Sequence, residues 1–192
     1  GGRLIGSPVP VWIPTLGVVA NFMMVVPFFI IALNLLGTLS GRYSAVGGSM
    51  TLRFMLLSIG GFLLASLLNL ALSLRGFAVT AQFTLLDGLR DWLTFYACFS
   101  TAMFGAAYFI LPRLTEKEWR SPALVKAHFS ATALGIILLT VGLAYAGWQQ
   151  GHLLNNPAVA FGDVTKAMTG WYAFRSVVLG LLLIGHVAFL IN

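Results

Sequence analysis

Charge is what this sequence has least of. Only 8% of its 192 residues are charged while 59% are hydrophobic, against about 25% charged in a soluble domain, so there is too little polar surface to cover a globule in water. Cysteine is nearly absent. Cys98 stands alone inside an apolar stretch, which excludes a disulfide framework and any CxxC or CxxCH motif. Acidic residues number 5 against 11 Lys and Arg, a net charge of +6. The basic residues sit at the ends of apolar segments, where lipid head groups lie, and this distribution excludes a nucleic-acid-binding reading. Internal repeats, low-complexity tracts, a phosphate-binding glycine loop, a hydrolase triad and a paired-carboxylate site are missing as well.

What the sequence does have is apolar length. Mean hydropathy is +0.93, and a helix needs about 20 apolar residues to cross the hydrocarbon core. The expected fold is an all-α integral membrane protein, a single domain over 1–192 with five transmembrane helices at about 11–36, 53–74, 92–111, 127–148 and 169–191. The first follows Gly1-Gly2-Arg3 and carries no charge before Arg42. It reads as a spanning helix, being too long for a cleaved signal and lacking a small-residue cleavage site. Pro27 predicts a kink in it, because proline removes a backbone hydrogen bond. A Gly- and Ser-rich turn, Gly37 to Ser49, precedes the second helix, and a short connection, Arg75 to Asp91, precedes the third. The loop from Thr115 to Lys126 is polar, and a longer polar link runs through Gln149, Gln150, Asn155, Asn156 and Asp163. Gly-Gly at one terminus and an apolar run stopping at Asn192 leave truncation open.

Lys and Arg counts set orientation. One side holds Arg42, Arg53, Arg113, Lys117, Arg120 and Lys126; the other holds Arg3, Arg75, Arg90, Lys166 and Arg175. The six-to-five bias predicts the N-terminus outside and the C-terminus in the cytoplasm. Gly61-x-x-x-Ala65, Ala102-x-x-x-Ala106 and Gly142-x-x-x-Ala146 place small residues on one helix face, which lets helices approach closely in lipid. Trp12, Trp92, Trp119, Trp148 and Trp171 fall near expected helix ends, as an aromatic belt does.

Membrane redox enzymes hold haem or copper through histidines on helices, and there are 3 histidines here. His128 is expected to be interfacial and solvated beside Lys126, and His152 exposed in the polar link. His186 lies deeper, a candidate ligand or proton-relay group without a second histidine at i±4. A metal centre from these three is not expected. Asp87, Arg90 and Asp91 form the densest charge cluster near a span. Two readings apply: an intramembrane proton or ion site, or a helix start in which Asp meets the positive end of the dipole and Arg90 sits one turn on. The second is the expectation. Arg175 is expected to snorkel to the interface. Asn21, Asn34 and Asn69 are expected to bond across helices, and Cys98 to pack as a small apolar residue.

Several runs together carry a family resemblance. Pro10-Val11-Trp12-Ile13 with the helix through Asn34-Leu35 to Gly41-Arg42 is one. Gly105-Ala106-Ala107-Tyr108-Phe109-Ile110-Leu111-Pro112-Arg113-Leu114 is another, followed by His128-Phe129, Ala131-Thr132, Gly135-Ile136, Gln150-Gly151 and Phe174-Arg175. In order and spacing these resemble the C-terminal part of subunit I of haem–copper oxidases, closest to the cbb3-type cytochrome c oxidases. The resemblance implies helices eight to twelve of twelve, half of a subunit-I-like bundle, in the orientation that the charge bias predicts. It also implies a His-x-His pair on the tenth helix, ligating the low-spin and oxygen-reducing haems. Counted back without gaps from Pro112-Arg113, those positions hold Arg90 and Trp92, and no histidine occurs between Gly1 and Lys126. Arg has no acceptor and Trp only an N–H donor, so neither replaces an imidazole on iron. The family's copper ligands and active-site tyrosine belong to helices outside the matched part.

The resemblance therefore implies a subunit-I-like component of a respiratory complex in a bacterial inner membrane, haem-free and structural or accessory. No catalytic, cofactor or metal residues are assigned in this chain; haem and copper are placed in partner subunits. Expected partners are other membrane subunits, a c-type cytochrome subunit among them, and lipid. Two alternatives stay open. One is a fragment of a catalytic cbb3-type oxidase or nitric oxide reductase subunit; the other is a proton-conducting or transport module using Asp87, Arg90 and His186.

Overall fold

The computed structural model describes residues 8–192. Gly1, Gly2 and Arg3, the last counted above toward orientation, lie outside the described residues. Five apolar helical spans are present: Trp12–Gly37, Met50–Ser73, Leu85–Thr115, Pro122–Leu154 and Phe161–Ile191. Among the described residues there is no strand.

The first span is two helices, α1 (Trp12–Met23) and α2 (Val25–Gly37). The break follows from Pro27. Lacking an N–H, it leaves the Met23 carbonyl without its i+4 donor, and the helix parts one turn earlier, at Met24. A short α3 (Ser44–Gly48) leads to α4 (Met50–Ser73), whose Ser49 cap accepts from the Leu52 N–H at 3.3 Å.

The connection expected over Arg75–Asp91 is instead mostly helical. α5 (Arg75–Ala81) is followed by Phe83 in a left-handed conformation, φ 63°, and by Thr84, whose hydroxyl caps α6 (Leu85–Trp92) by accepting from the Leu86 N–H at 3.2 Å. Asp87, Arg90 and Asp91 thus lie in the first two turns of the third span. Hydropathy missed this start because these turns are polar, and a capping hydroxyl with Asp in the first turn is what marks them. The span continues through a π-helical stretch, Leu93–Ser100, into α7 (Thr101–Thr115).

The last two spans also outrun their apolar cores. α8 covers Pro122–Leu154 and α9 Phe161–Ile191. Both exceed the roughly 20 residues that cross hydrocarbon, so their polar ends stand in the head-group layer.

Hydrogen bonds at the span ends define two rims. At the Arg75 rim, Arg75 donates to the Val11 carbonyl at 3.3 Å and to the Thr15 hydroxyl, the Leu85 N–H donates to Gln150 Oε1 at 2.9 Å, and Asn155 Nδ2 donates to the Val79 carbonyl at 3.2 Å. At the Lys126 rim, the Ser121 N–H donates to Asn192 Oδ1 at 2.7 Å.

α8 and α9 pack side by side along their length, α4 packs on the π-helical stretch and α7, and α6 packs on α8. The main core joins Leu89, Leu93 and Ala97 to Ile136, Leu139 and Leu143 of α8 and to Val178 and Leu182 of α9. α1 and α2 pack on each other and on α4, with Arg75 of α5 bonded to the first turn of α1, and they leave most of their apolar side chains on the outer surface.

Close approach depends on small residues. A Cβ at Gly61 would run into the Ala97 backbone, and one at Gly151 into the Thr80 carbonyl. Gly60, the neighbour of Gly61 in sequence, has open space beside it. Gly61→Val is therefore expected to lower detergent-solubilised stability by about 1–3 kcal/mol through overpacking, while Gly60→Val stays near the parent. Thermal unfolding of the two variants, followed side by side, checks this; equal melting temperatures would contradict the contact.

Candidate functional site

A π-helical turn widens the helix and takes carbonyls out of the regular ladder; such turns are frequent at functional sites. Here hydroxyls meet those carbonyls. Ser58 Oγ donates to the Cys98 carbonyl at 2.7 Å, Thr101 Oγ1 to the Ala97 carbonyl at 2.6 Å, and Ser100 Oγ to the Phe95 carbonyl at 2.9 Å. On this stretch Tyr96 stacks on Trp92 with ring centroids 4.3 Å apart. Its hydroxyl shares a 2.9 Å hydrogen bond with His186 Nε2 of α9.

A second Tyr–His pair lies beside it. Tyr108 of α7 shares a 2.9 Å hydrogen bond with His128 Nδ1 of α8. The two imidazoles meet edge-on, with centroids 5.6 Å apart and planes at 60°. Phe104 is edge-on to His128 at 4.6 Å and stacked on His186 at 5.2 Å. Phe54, Phe129 and Phe189 complete the surround, and the Trp119 indole donates to the Tyr108 carbonyl at 3.3 Å. His128 is 0% exposed, and its Nε2 has no hydrogen-bond partner among the described residues. The solvated environment expected for it is incorrect: the ring is buried. α8 begins at Pro122, so His128 already lies in the second turn and on the face that meets α7 and α9. His186 does gain a second histidine, from a neighbouring helix and not from i±4. His152 is exposed as expected, on the last turn of α8 and edge-on to Trp148.

The charge cluster is compact. Arg90, 12% exposed, pairs with Asp87 at 2.8 Å and with Asp91 at 3.2 Å. This is the helix-start arrangement: Asp87 lies in the first turn and Arg90 one turn on. His186 does not join it; its bond goes to Tyr96. Trp92 lies further from its helix end than an aromatic belt implies, stacked on Tyr96 with its indole N–H buried and unpartnered among the described residues.

Two cavities of about 480 Å³ flank these groups. One, at the Lys126 rim, is lined by Ser49, Thr51, Tyr108, Glu118, Trp119 and Lys126 among others. The other is lined by Asp91, Trp92, Phe95, Leu139 and Arg175 among others. Among the described residues no three His, Cys, Asp or Glu side chains converge as a metal site.

Tyr108→Phe removes the hydrogen-bond partner of His128 Nδ1 and strands a fully buried imidazole, at a cost of about 1–3 kcal/mol. Tyr145→Phe, altering a ring that is 62% exposed, is expected to be neutral. Parallel melting curves test this, and a Tyr108→Phe protein as stable as Tyr145→Phe would refute it.

Comparison with known proteins gives these elements a family. Residues 4–181 match the profile of cytochrome c and quinol oxidase polypeptide I. Cytochrome c oxidase subunit 1 of Rhodobacter capsulatus is 28% identical over 189 residues, covering 89% of this chain and 34% of that protein. A subunit 1 homolog of Azorhizobium caulinodans is 25% identical, covering 89% of this chain and 32% of that protein. A bacteroid subunit 1 homolog of Bradyrhizobium diazoefficiens is 26% identical, covering 93% of this chain and 34% of that protein. The chain thus spans about a third of the length of these relatives. With the profile matched over most of its length, on five membrane helices, the chain belongs to the cytochrome c and quinol oxidase polypeptide I family, as a haem–copper oxidase subunit I-like membrane protein.

Proposed function

We propose that this chain is a haem-free, accessory subunit-I-like component of a cbb3-type respiratory oxidase complex in a bacterial inner membrane, with its N-terminus periplasmic and its C-terminus cytoplasmic. It would keep the packing surfaces of the family and leave electron transfer to partner subunits, a c-type cytochrome subunit among them. The observation that carries the reading is the state of Arg90. Its guanidinium is already engaged by Asp87 at 2.8 Å and Asp91 at 3.2 Å, at a position where the resemblance calls for an imidazole ligand. Trp92, at the other such position, is stacked on Tyr96. Neither side chain has a lone pair to offer iron.

The two histidines that do meet fit a haem no better. Phe104, centred 4.6 Å from His128 and 5.2 Å from His186, fills the space beside their midpoint that a macrocycle would need. The residues present do not fit a haem held by this chain.

The chain purified from haem-replete membranes is expected to show no stoichiometric Soret band. A stoichiometric band with bis-histidine character would overturn the haem-free reading. Purification in mild detergent is expected to bring other membrane subunits with it, one carrying c-type haem. Recovery of the chain by itself would contradict the accessory role. Asp87→Asn, which weakens the hold on Arg90, is expected to reduce recovery of the assembled complex.

A further inference from the structure

The cavity at the Lys126 rim, about 480 Å³, opens between the start of α4, the end of α7 and the start of α8. Its depth follows from the elements around it. α4 begins at Met50 and α8 at Pro122, so the cavity lies where the spans leave hydrocarbon, in the head-group layer. Met50, Trp119 and Val125 give it apolar surface, and Ser49, Glu118 and Lys126 give it polar surface. One wall is pinned: the Trp119 indole donates to the Tyr108 carbonyl at 3.3 Å, and the two rings pack with centroids 4.8 Å apart. Glu118 and Lys126 are both exposed, and among the described residues neither makes an ion pair. A carboxylate and an ammonium thus border one hollow without closing on each other. Ser49 accepts from the Leu52 N–H at 3.3 Å, which leaves its own O–H to donate.

We propose that this cavity holds the head group of a zwitterionic phospholipid of the phosphatidylethanolamine class, with the phosphate on Lys126 and Ser49 and the primary ammonium on Glu118. This goes beyond the accessory reading and stands without it. The charges select the ligand. An ionised carboxylate only accepts hydrogen bonds and an ammonium only donates them, so the two together take a molecule that carries an anion and an N–H-bearing cation a few atoms apart. A phosphatidylglycerol head brings no cation to Glu118, and a phosphatidylcholine head brings one without an N–H. Depth and the apolar wall select a lipid over a soluble phosphate ester. The head lies level with the membrane surface, Met50, Trp119 and Val125 meet the glycerol and the first acyl carbons, and the chains continue into the bilayer. The volume falls in the range of roughly 300–1,000 Å³ usual for ligand pockets. A lipid bound there ties the start of α4, the α7–α8 loop and the start of α8 together at one rim.

Native mass spectrometry of the delipidated chain, with synthetic lipids of matched acyl chains added back, tests the site. Phosphatidylethanolamine is expected to be retained about fivefold more than phosphatidylcholine or phosphatidylglycerol, the scale of one exposed charge pair. Glu118→Gln and Lys126→Gln are each expected to abolish most of that preference. Lys117→Gln, on the same loop but outside the cavity lining, should leave it unchanged. Glu118→Lys is expected to reverse it, so that phosphatidylglycerol is retained over phosphatidylethanolamine. All three positions are exposed, so these variants fold as the parent does, and retention is compared on folded chains. Parent retention of phosphatidylethanolamine no greater than that of either other lipid, or a preference that survives Glu118→Gln or Lys126→Gln, would sink the site. Displacement of the lipid by an equal concentration of free phosphoethanolamine would overturn its assignment to a lipid. Neither result bears on the haem-free reading, which the Soret band decides.

Discussion

Hydrocarbon offers a backbone carbonyl no partner, so any departure from the regular helix must be satisfied from within the protein. The third span is built around this constraint. Its π-helical stretch, Leu93–Ser100, displaces carbonyls from the ladder, and Ser58 of α4 and Thr101 of the span itself supply hydroxyls to the carbonyls of Cys98 and Ala97. The Ser58 bond also pins α4 to the stretch where Gly61 brings the two backbones together. The altered winding leaves Tyr96 stacked on Trp92 and bonded to His186. α4, the third span and α9 are thereby tied at one level of the bundle.

The same economy of partners governs the charges. An isolated guanidinium near a span would be costly; Arg90 instead sits in the polar first turns of α6 between Asp87 and Asp91. The cluster suits a helix start, since Asp87 meets the positive end of the dipole. It occupies the stretch where the family resemblance calls for haem-holding imidazoles; there Arg90 is neutralised by Asp87 and Asp91, and Trp92 stacks on Tyr96. The two histidines that are buried or half-buried stand on α8 and α9, enclosed by phenyl rings and tied to tyrosines.

Much of this fold was legible in the sequence, for a physical reason: lipid imposes length and apolarity on every span, and both are one-dimensional properties. Five spans, the Pro27 break and the close-packing Gly61 and Gly142 follow from that. Span ends were less legible. Helices persist into the head-group layer through polar residues such as Asp87 and Gln149, which hydropathy scores as loop; the Thr84 cap and the Pro at the first turn of α8 are the local signals that place those ends. The candidate site was legible only in part. The Asp87–Arg90 pairing is an i, i+3 relation and could be read along the chain. The meeting of His128 with His186, and of each with a tyrosine, joins residues far apart in sequence. It depends on how three helices are rotated against one another.

That rotation is itself constrained by the small residues. On α8, Gly135 admits Leu182 and Gly142 admits Phe174, while on α9 Gly185 admits Ala131, one turn from His128. The spacing of these notches fixes the register of α8 against α9, and with it the separation of the two imidazoles. Gly185 also lies beside the site itself: a Cβ there would stand 3.7 Å from His128. A side chain added at Gly185 would press on Ala131, and the site responds first, because a ring-to-ring separation tolerates less displacement than an apolar core that can repack.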